Sequence, residues 1–297
     1  MRRWAPEGAL VLAAFLFGVT FPLVHDALDD IEPFAYLLLR FGFAIVALAP
    51  FAIVIGRGST PAQRGLLWRA GGFAGVLLMG GYATQTIGLQ TASPSTSAFI
   101  TGLYVALTPV FEAVLRRRVP PVAVLVGIAC ATVGLYLLTG ADLHLGTGEL
   151  WTLAGAVIFA IWIVQQGEYA PRLPTIPYTT LQMVVVLALC APATAAQGVG
   201  DVTGLALFAA AFTGIACSSV ALSLQLYGQR HIAPSRVALI LLLEPVFAAV
   251  AGYVNGERLG AVELMGAAVI LFGIGVAELG PGRTRLPMPE AVEPHPF

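Results

Sequence analysis

Residues 33–55 read PFAYLLLRFGFAIVALAPFAIVI, an apolar run broken by a single charge at Arg40. A span needs ~20 such residues to cross ~30 Å of hydrocarbon at ~1.5 Å per residue, so this stretch predicts a membrane-crossing helix. The rest of the chain repeats its character. Further apolar runs lie at 7–28, 66–89, 94–115, 121–140, 148–167, 177–197, 203–227, 234–254 and 260–279, which makes ten expected spans. Breakers separate them: Asp29-Asp30, Gly56-Arg57-Gly58, Pro94, Pro120-Pro121, Pro171 with Pro174, and Pro234. Hydrophobic residues make up 58% of the 297 residues and charged residues 10%, against ~25% charged in an ordinary soluble domain. The expected fold class is an all-α integral membrane protein with ten transmembrane helices.

Little polar chain remains outside the spans. The longest polar stretches are Gly56–Arg69 and residues 281–297, the latter proline-rich and read as a disordered tail. Arg2 and Arg3 before an apolar run resemble a signal peptide. The run continues to about Leu28, so we expect a retained first helix. The net charge of −1 offers no field for nucleic acid, and no nucleic-acid partner is expected. Cys130, Cys190 and Cys217 all fall inside apolar runs and read as packing residues rather than a disulfide framework.

Arginine sets the expected orientation. The chain has no lysine, and its fifteen basic residues are all arginines. With the N-terminus placed in the cytoplasm, Arg57, Arg64, Arg69, Arg116, Arg117, Arg118, Arg172, Arg230 and Arg236 fall inside. So do Arg2, Arg3, Arg283 and Arg285; Arg258 alone falls outside. Cytoplasmic loops carry such an excess, so both termini are expected in the cytoplasm.

The chain also repeats itself. Gln85, Gly88, Pro94 and Ser95 recur as Gln225, Gly228, Pro234 and Ser235 at one common offset. Thr108-Pro109-Val110-Phe111 recurs as Glu244-Pro245-Val246-Phe247, and Gly127 and Gly134 recur as Gly266 and Gly273. The halves are therefore 7–140 and 148–279, five spans each. An odd number of spans makes the second half enter the membrane from the opposite side. Such inverted repeats favour alternating access to a central site.

These residues carry a resemblance. Ten spans in two halves, the Glu-Pro-Val segment at Glu244, the stretch from Gly256-Glu257-Arg258-Leu259 through Gly273, and Gly81-Tyr82 through Pro109 together resemble the EamA-type branch of the drug/metabolite transporter superfamily. The resemblance covers about residues 7–279. It implies a multi-pass carrier of the bacterial inner membrane, commonly an exporter of amino acids or other small metabolites. It also implies peripheral fifth and tenth spans, with the other eight enclosing a cavity. The first half has Thr108 where the second has Glu244, so the halves are not chemically equivalent.

Candidate site residues are the polar groups inside spans, where lipid offers them no partner. Glu244 is the one carboxylate placed near the bilayer midplane, which makes it a candidate for proton coupling or a structural carboxyl at the Pro245 kink. Arg40, about two turns into the second span, can bind a substrate carboxylate, snorkel outward or pair with an acid. Tyr82, Gln85 and Thr86 in the third span, Tyr104 in the fourth, Trp162 and Gln165 in the sixth, and Gln225 in the eighth are the expected substrate contacts. Gln85 and Gln225 are symmetry-related and expected to face one cavity. Glu112 precedes Arg116 by four residues, the spacing of an interfacial ion pair. Gly71 with Gly75, and Ala210 with Gly214 and Ser218, follow the small-residue spacing that lets helices approach closely.

The leading functional reading is a secondary transporter of small metabolites, with an exporter of amino acids foremost. The alternative is an importer or facilitator of a nucleobase, sugar derivative or drug. No Gly-x-x-x-x-Gly-Lys loop for nucleotide occurs, so this chain alone does not use ATP. No metal-ligand cluster or nucleophile elbow supports a membrane-embedded enzyme, and no cofactor is expected. A channel and a non-transporting receptor remain as further classes, disfavoured by the repeat.

Overall fold

The computed structural model describes residues 5–92, 94–117, 119–139, 146–254 and 260–279. Arg2, Arg3, Trp4, Arg118, His144, the segment 256–259 and the tail 281–297 lie outside the described residues. The first span is α1 (Ala5–Gly18) and α2 (Phe21–Ala27), the second α3 (Pro33–Gly56), and the third α4 (Pro61–Leu89). The fourth is α5 (Pro94–Gly102) and α6 (Tyr104–Arg116), and the fifth α7 (Val122–Thr139). The sixth is α8 (Thr147–Tyr169) and the seventh α9 (Thr175–Gln197). The eighth joins α10 (Gly204–Thr213), a π-helical segment (Gly214–Ala221) and α11 (Leu222–Gln229). The ninth is α12 (Pro234–Leu241) and α13 (Leu243–Val254), and the tenth α14 (Ala261–Leu279).

Local chemistry sets the helix starts. Pro33, Pro61 and Pro234 open α3, α4 and α12, where a missing N–H costs nothing. Thr60 and Gln63 form a reciprocal capping box on α4: the Gln63 amide donates to Thr60 Oγ1 at 3.2 Å, and the Thr60 amide to Gln63 Oε1 at 3.0 Å. Helices Pro33–Gly56, Thr175–Gln197 and the stretches Thr147–Arg172, Gly204–Gln229 and Pro234–Ala251 are long and apolar enough to cross a membrane unaided. The other spans are shorter or, like α4 with its Tyr82–Thr86 cluster, more polar. They depend on their neighbours.

One end of the bundle is tied by a loop-to-loop bridge. Ile31 pairs with Gly200; the Asp201 amide donates to Asp30 O at 2.9 Å, and Thr203 Oγ1 donates to Asp30 Oδ2 at 3.0 Å. Gly200 takes φ +69°, and a Cβ there would stand 2.8 Å from Asp30 O, so only glycine fits. The opposite end carries Arg172 and Arg230, the latter donating to Thr175 Oγ1 at 3.3 Å.

Contacts between spans follow the sequence repeat. The second packs on the seventh, and the fifth on the tenth. The third packs on the sixth and seventh, as the eighth packs on the first and second; the fourth packs on the sixth, as the ninth packs on the first. Exchanging the halves maps this set onto itself. The α7–α14 pair shows why the glycines recur: a Cβ on Gly127 would lie 2.5 Å from Gly273 O, and one on Gly134 2.7 Å from Gly266 O. These backbones touch where a side chain cannot fit. Gly71 and Gly75 of α4 likewise seat Leu181 and Val185 of α9. Gly214 lies against the backbone of Arg40.

One expectation is corrected at this level and one gains a second partner. The Arg116 side chain lies outside the described residues, and Glu112 is a buried cap: it accepts from the Ser235 amide at 3.1 Å and from the Ser235 hydroxyl. The carboxyl of the fourth span thereby satisfies the first turn of α12, whose free N–H groups attract a negative group. The kink expected at Pro245 lies earlier, at Leu242 between α12 and α13, and a matching break lies at Leu103 between α5 and α6.

Candidate functional site

A cavity of about 100 Å³ lies at the centre of the bundle. Seven spans line it: the first, second, third, fourth, sixth, eighth and ninth. The seventh does not reach it, so the expected eight-span enclosure is one short. Its Gln182 is engaged elsewhere, accepting from Trp162 Nε1 and from Gln166 Nε2, both at 2.9 Å.

Arg40 forms one wall. Its side chain is buried, with Nε donating to Ser218 Oγ at 2.9 Å and Nη2 donating to Tyr82 OH at 3.2 Å. Its Cζ sits 4.7 Å from the Tyr82 ring centroid and 5.8 Å from that of Phe41. Ring faces are electron-rich, so they attract a cation placed against them. The π-helical segment makes this arrangement: the wider turn swings Ser218 to Arg40, while Ser219 Oγ bonds to Ala44 O at 3.1 Å and Gly214 O at 3.0 Å. Such wide turns occur mostly as local insertions at functional sites. Cys217 of the same segment is a free thiol that reaches Thr20 Oγ1 and Leu16 O of the first span, each at 3.3 Å.

Aromatic rings continue the wall. Tyr82 meets Phe41 at 5.4 Å and Phe159 at 5.5 Å, edge to face, and Phe159 meets Trp162 at 6.2 Å. Gln85 Nε2 donates to Thr101 Oγ1 at 3.1 Å. Glu244 closes the other side. The break at Leu242 sets it in the first turn of α13, where the helix dipole favours a carboxylate. Among the described residues Glu244 makes no hydrogen bond or ion pair, and Arg40 makes no ion pair.

The structure thus brings together Arg40, Tyr82, Gln85, Thr86, Tyr104, Trp162, Gln225 and Glu244 around one cavity. Gln165 is not among them. Its Oε1 accepts from Tyr178 OH at 3.1 Å and its Nε2 donates to Ala70 O at 3.0 Å, which ties α8 to α9 and α4. Thr20, Thr101 and Phe159 also line the cavity. The two threonines were legible only as hydroxyls in apolar runs; Phe159 carries no distinguishing signal. Among the described residues no group of histidine, cysteine and carboxylate side chains could hold a metal.

The model of the EamA-like transporter family matches the chain twice, over residues 6–140 and 146–278. The chain belongs to the EamA-like transporter family. As a member it is a multi-pass membrane transporter with that family's ten-helix fold. The chain is similar to an uncharacterized transporter of Archaeoglobus fulgidus, 28% identical over 281 residues that cover 94% of this chain and 87% of the relative. A second uncharacterized transporter of that organism is 27% identical over 276 residues, covering 91% and 95%. A crystal structure at 22% identity shares the EamA-like fold, with a TM-score of 0.75 over 91% of this chain and 95% of that one.

Proposed function

We propose that this transporter carries a small zwitterionic metabolite, foremost an amino acid, out of the cell by alternating access through the central cavity. One observation carries the reading: a buried arginine and a carboxylate face the same cavity without pairing to each other. Isolated charges are costly in a membrane interior. A solute with one negative and one positive group satisfies both: its carboxylate meets Arg40 and its ammonium meets Glu244. Gln85, Thr86, Tyr104 and Gln225 hydrogen-bond the remainder, and Trp162 and Phe159 cover its apolar part. The cavity, at about 100 Å³, is smaller than the ~300 Å³ lower bound for drug-sized ligand sites, which favours a small solute over a drug. Both termini lie in the cytoplasm on the arginine distribution. Glu244 is the site of proton coupling in this scheme, the one acid among the described residues that lines the cavity. No ordered reaction chemistry is required, and the protein acts as a carrier rather than an enzyme.

A matched set of solutes tests this. Purified protein in proteoliposomes is screened for counterflow of labelled amino acids. The best of these is then challenged with its own decarboxylated amine and its deaminated acid. The amino acid should compete at least about tenfold better than either, because each analogue leaves one buried charge without its partner. Equal competition by the amine or by a neutral isostere contradicts the two-pole site.

A further inference from the structure

The repeat provides a ruler for comparing the two ends of the cavity. Gln85, Gly88 and Leu89 of α4 correspond to Gln225, Gly228 and Gln229 of α11. Gln85 and Gln225 both line the cavity. One turn further the halves diverge: Leu89 lines the cavity toward the Asp30 end of the bundle, whereas Gln229, toward the Arg230 end, is 0% exposed. The cavity extends past Gln85 and stops at Gln225.

Beyond Gln225 lies a cluster of side-chain amides. Gln229 Nε2 donates to Ile163 O at 3.0 Å, and Ile163 is itself a cavity residue. One turn along α8, Gln166 donates to Gln182, which also receives Trp162 from the cavity wall. Gln182 is satisfied on both sides, its Nε2 donating to Tyr178 O at 3.2 Å, whereas Gln229 and Gln166 are each left with a free oxygen. Gln229 Oε1, Gln166 Oε1 and Gln225 Nε2 are buried with no hydrogen-bond partner. Buried polar atoms are paired in the great majority of cases, so three orphans on two adjoining helices mark a region built to be wetted. Leu89 and Val24, which line the opposite end, need no such partners.

We propose that Gln166, Gln182 and Gln229 line a second vestibule at the Arg230 end, closed in this conformation, which admits hydrogen-bonding solutes through neutral amides. The inference rests on the carrier reading above. Its chemistry differs from that of the Asp30 end. An amide-lined mouth replaces the water a polar solute sheds, through donors and acceptors that are themselves neutral. The two separate charges of Arg40 and Glu244 lie deeper, where selection by charge then occurs.

Thiol labelling in sealed membranes tests it on the full chain, with Cys130, Cys190 and Cys217 replaced by alanine. Leu89→Cys, Gln229→Cys and Gln166→Cys are exposed to a charged, membrane-impermeant methanethiosulfonate from either face. Leu89→Cys should react from one face. Gln229→Cys and Gln166→Cys should react only from the opposite face, and more slowly. Adding Gln229→Leu to a Gln225→Cys protein should lower labelling from that opposite face about tenfold, because an apolar side chain favours the closed state over the wetted one. Reaction of Gln229→Cys and Gln166→Cys from the same face as Leu89→Cys, or inertness from both faces, overturns the proposal. The labelling needs no substrate. Opposite-face labelling without solute flux would retain the vestibule and refute the carrier; flux with inert cysteines would do the reverse.

Discussion

Replacing Arg40 with glutamine should reduce amino-acid counterflow about 100-fold while leaving the helical bundle assembled. The magnitude follows from removing one partner of a buried charge contact, which costs ~2–5 kcal/mol at tenfold per ~1.4 kcal/mol. The sparing of the fold follows from the contacts. Among the described residues Arg40 makes no ion pair with a carboxylate, and its loss releases hydroxyl partners, among them those of Ser218 and Tyr82. Glutamine can still reach one of them, and the destabilisation should be about 1–2 kcal/mol. Lysine should rescue poorly. It keeps the charge as a point and cannot serve Ser218, Tyr82 and a solute carboxylate with a planar fork. Initial rates in proteoliposomes and thermal unfolding of the same preparation check both halves of this expectation. Transport within about threefold of the parent would remove Arg40 from the site.

Glu244→Gln should separate accumulation from exchange. Glutamine keeps the shape and hydrogen-bonding capacity of the carboxyl but cannot take up or release a proton. With Glu244 as the coupling site, a pH gradient should no longer drive accumulation of solute above its equilibrium level. Counterflow at equal pH on both sides should persist, weakened by loss of the ammonium contact by roughly tenfold or more. Unchanged gradient-driven accumulation by the variant would leave Glu244 as a substrate contact without a role in coupling.

The ten spans were legible in the sequence because each is a long apolar run bounded by proline, glycine or charge. Their interruptions were not. Pro50 and Pro192 lie inside α3 and α9, which continue past them, whereas α12 ends ahead of Pro245 and α5 ahead of Pro109. Proline removes a donor and crowds the preceding turn, so a break falls upstream of it, and neighbouring helices decide whether it opens. The π-helical segment in the eighth span has no signal in GIACSSVA at all; it is a product of fitting against α3 and α1. Among site residues, glutamines at symmetric positions reached the cavity. Gln165 did not, since the composition of α8 does not say which of Trp162, Gln165 and Gln166 faces inward. Glu112 was legible as structural, but its partner Ser235 lies 123 residues away, a contact that cannot be read from helical spacing.

The most direct measurement is trans-stimulation in proteoliposomes containing only this protein. Uptake of labelled amino acid is followed with the vesicle interior either empty or loaded with the same unlabelled solute. One cavity shared by two halves, open to one end at a time, should give saturable uptake that internal solute accelerates, and Arg40→Gln should abolish the acceleration. Flux that rises linearly with concentration and ignores the internal solute would contradict alternating access and indicate an open pore.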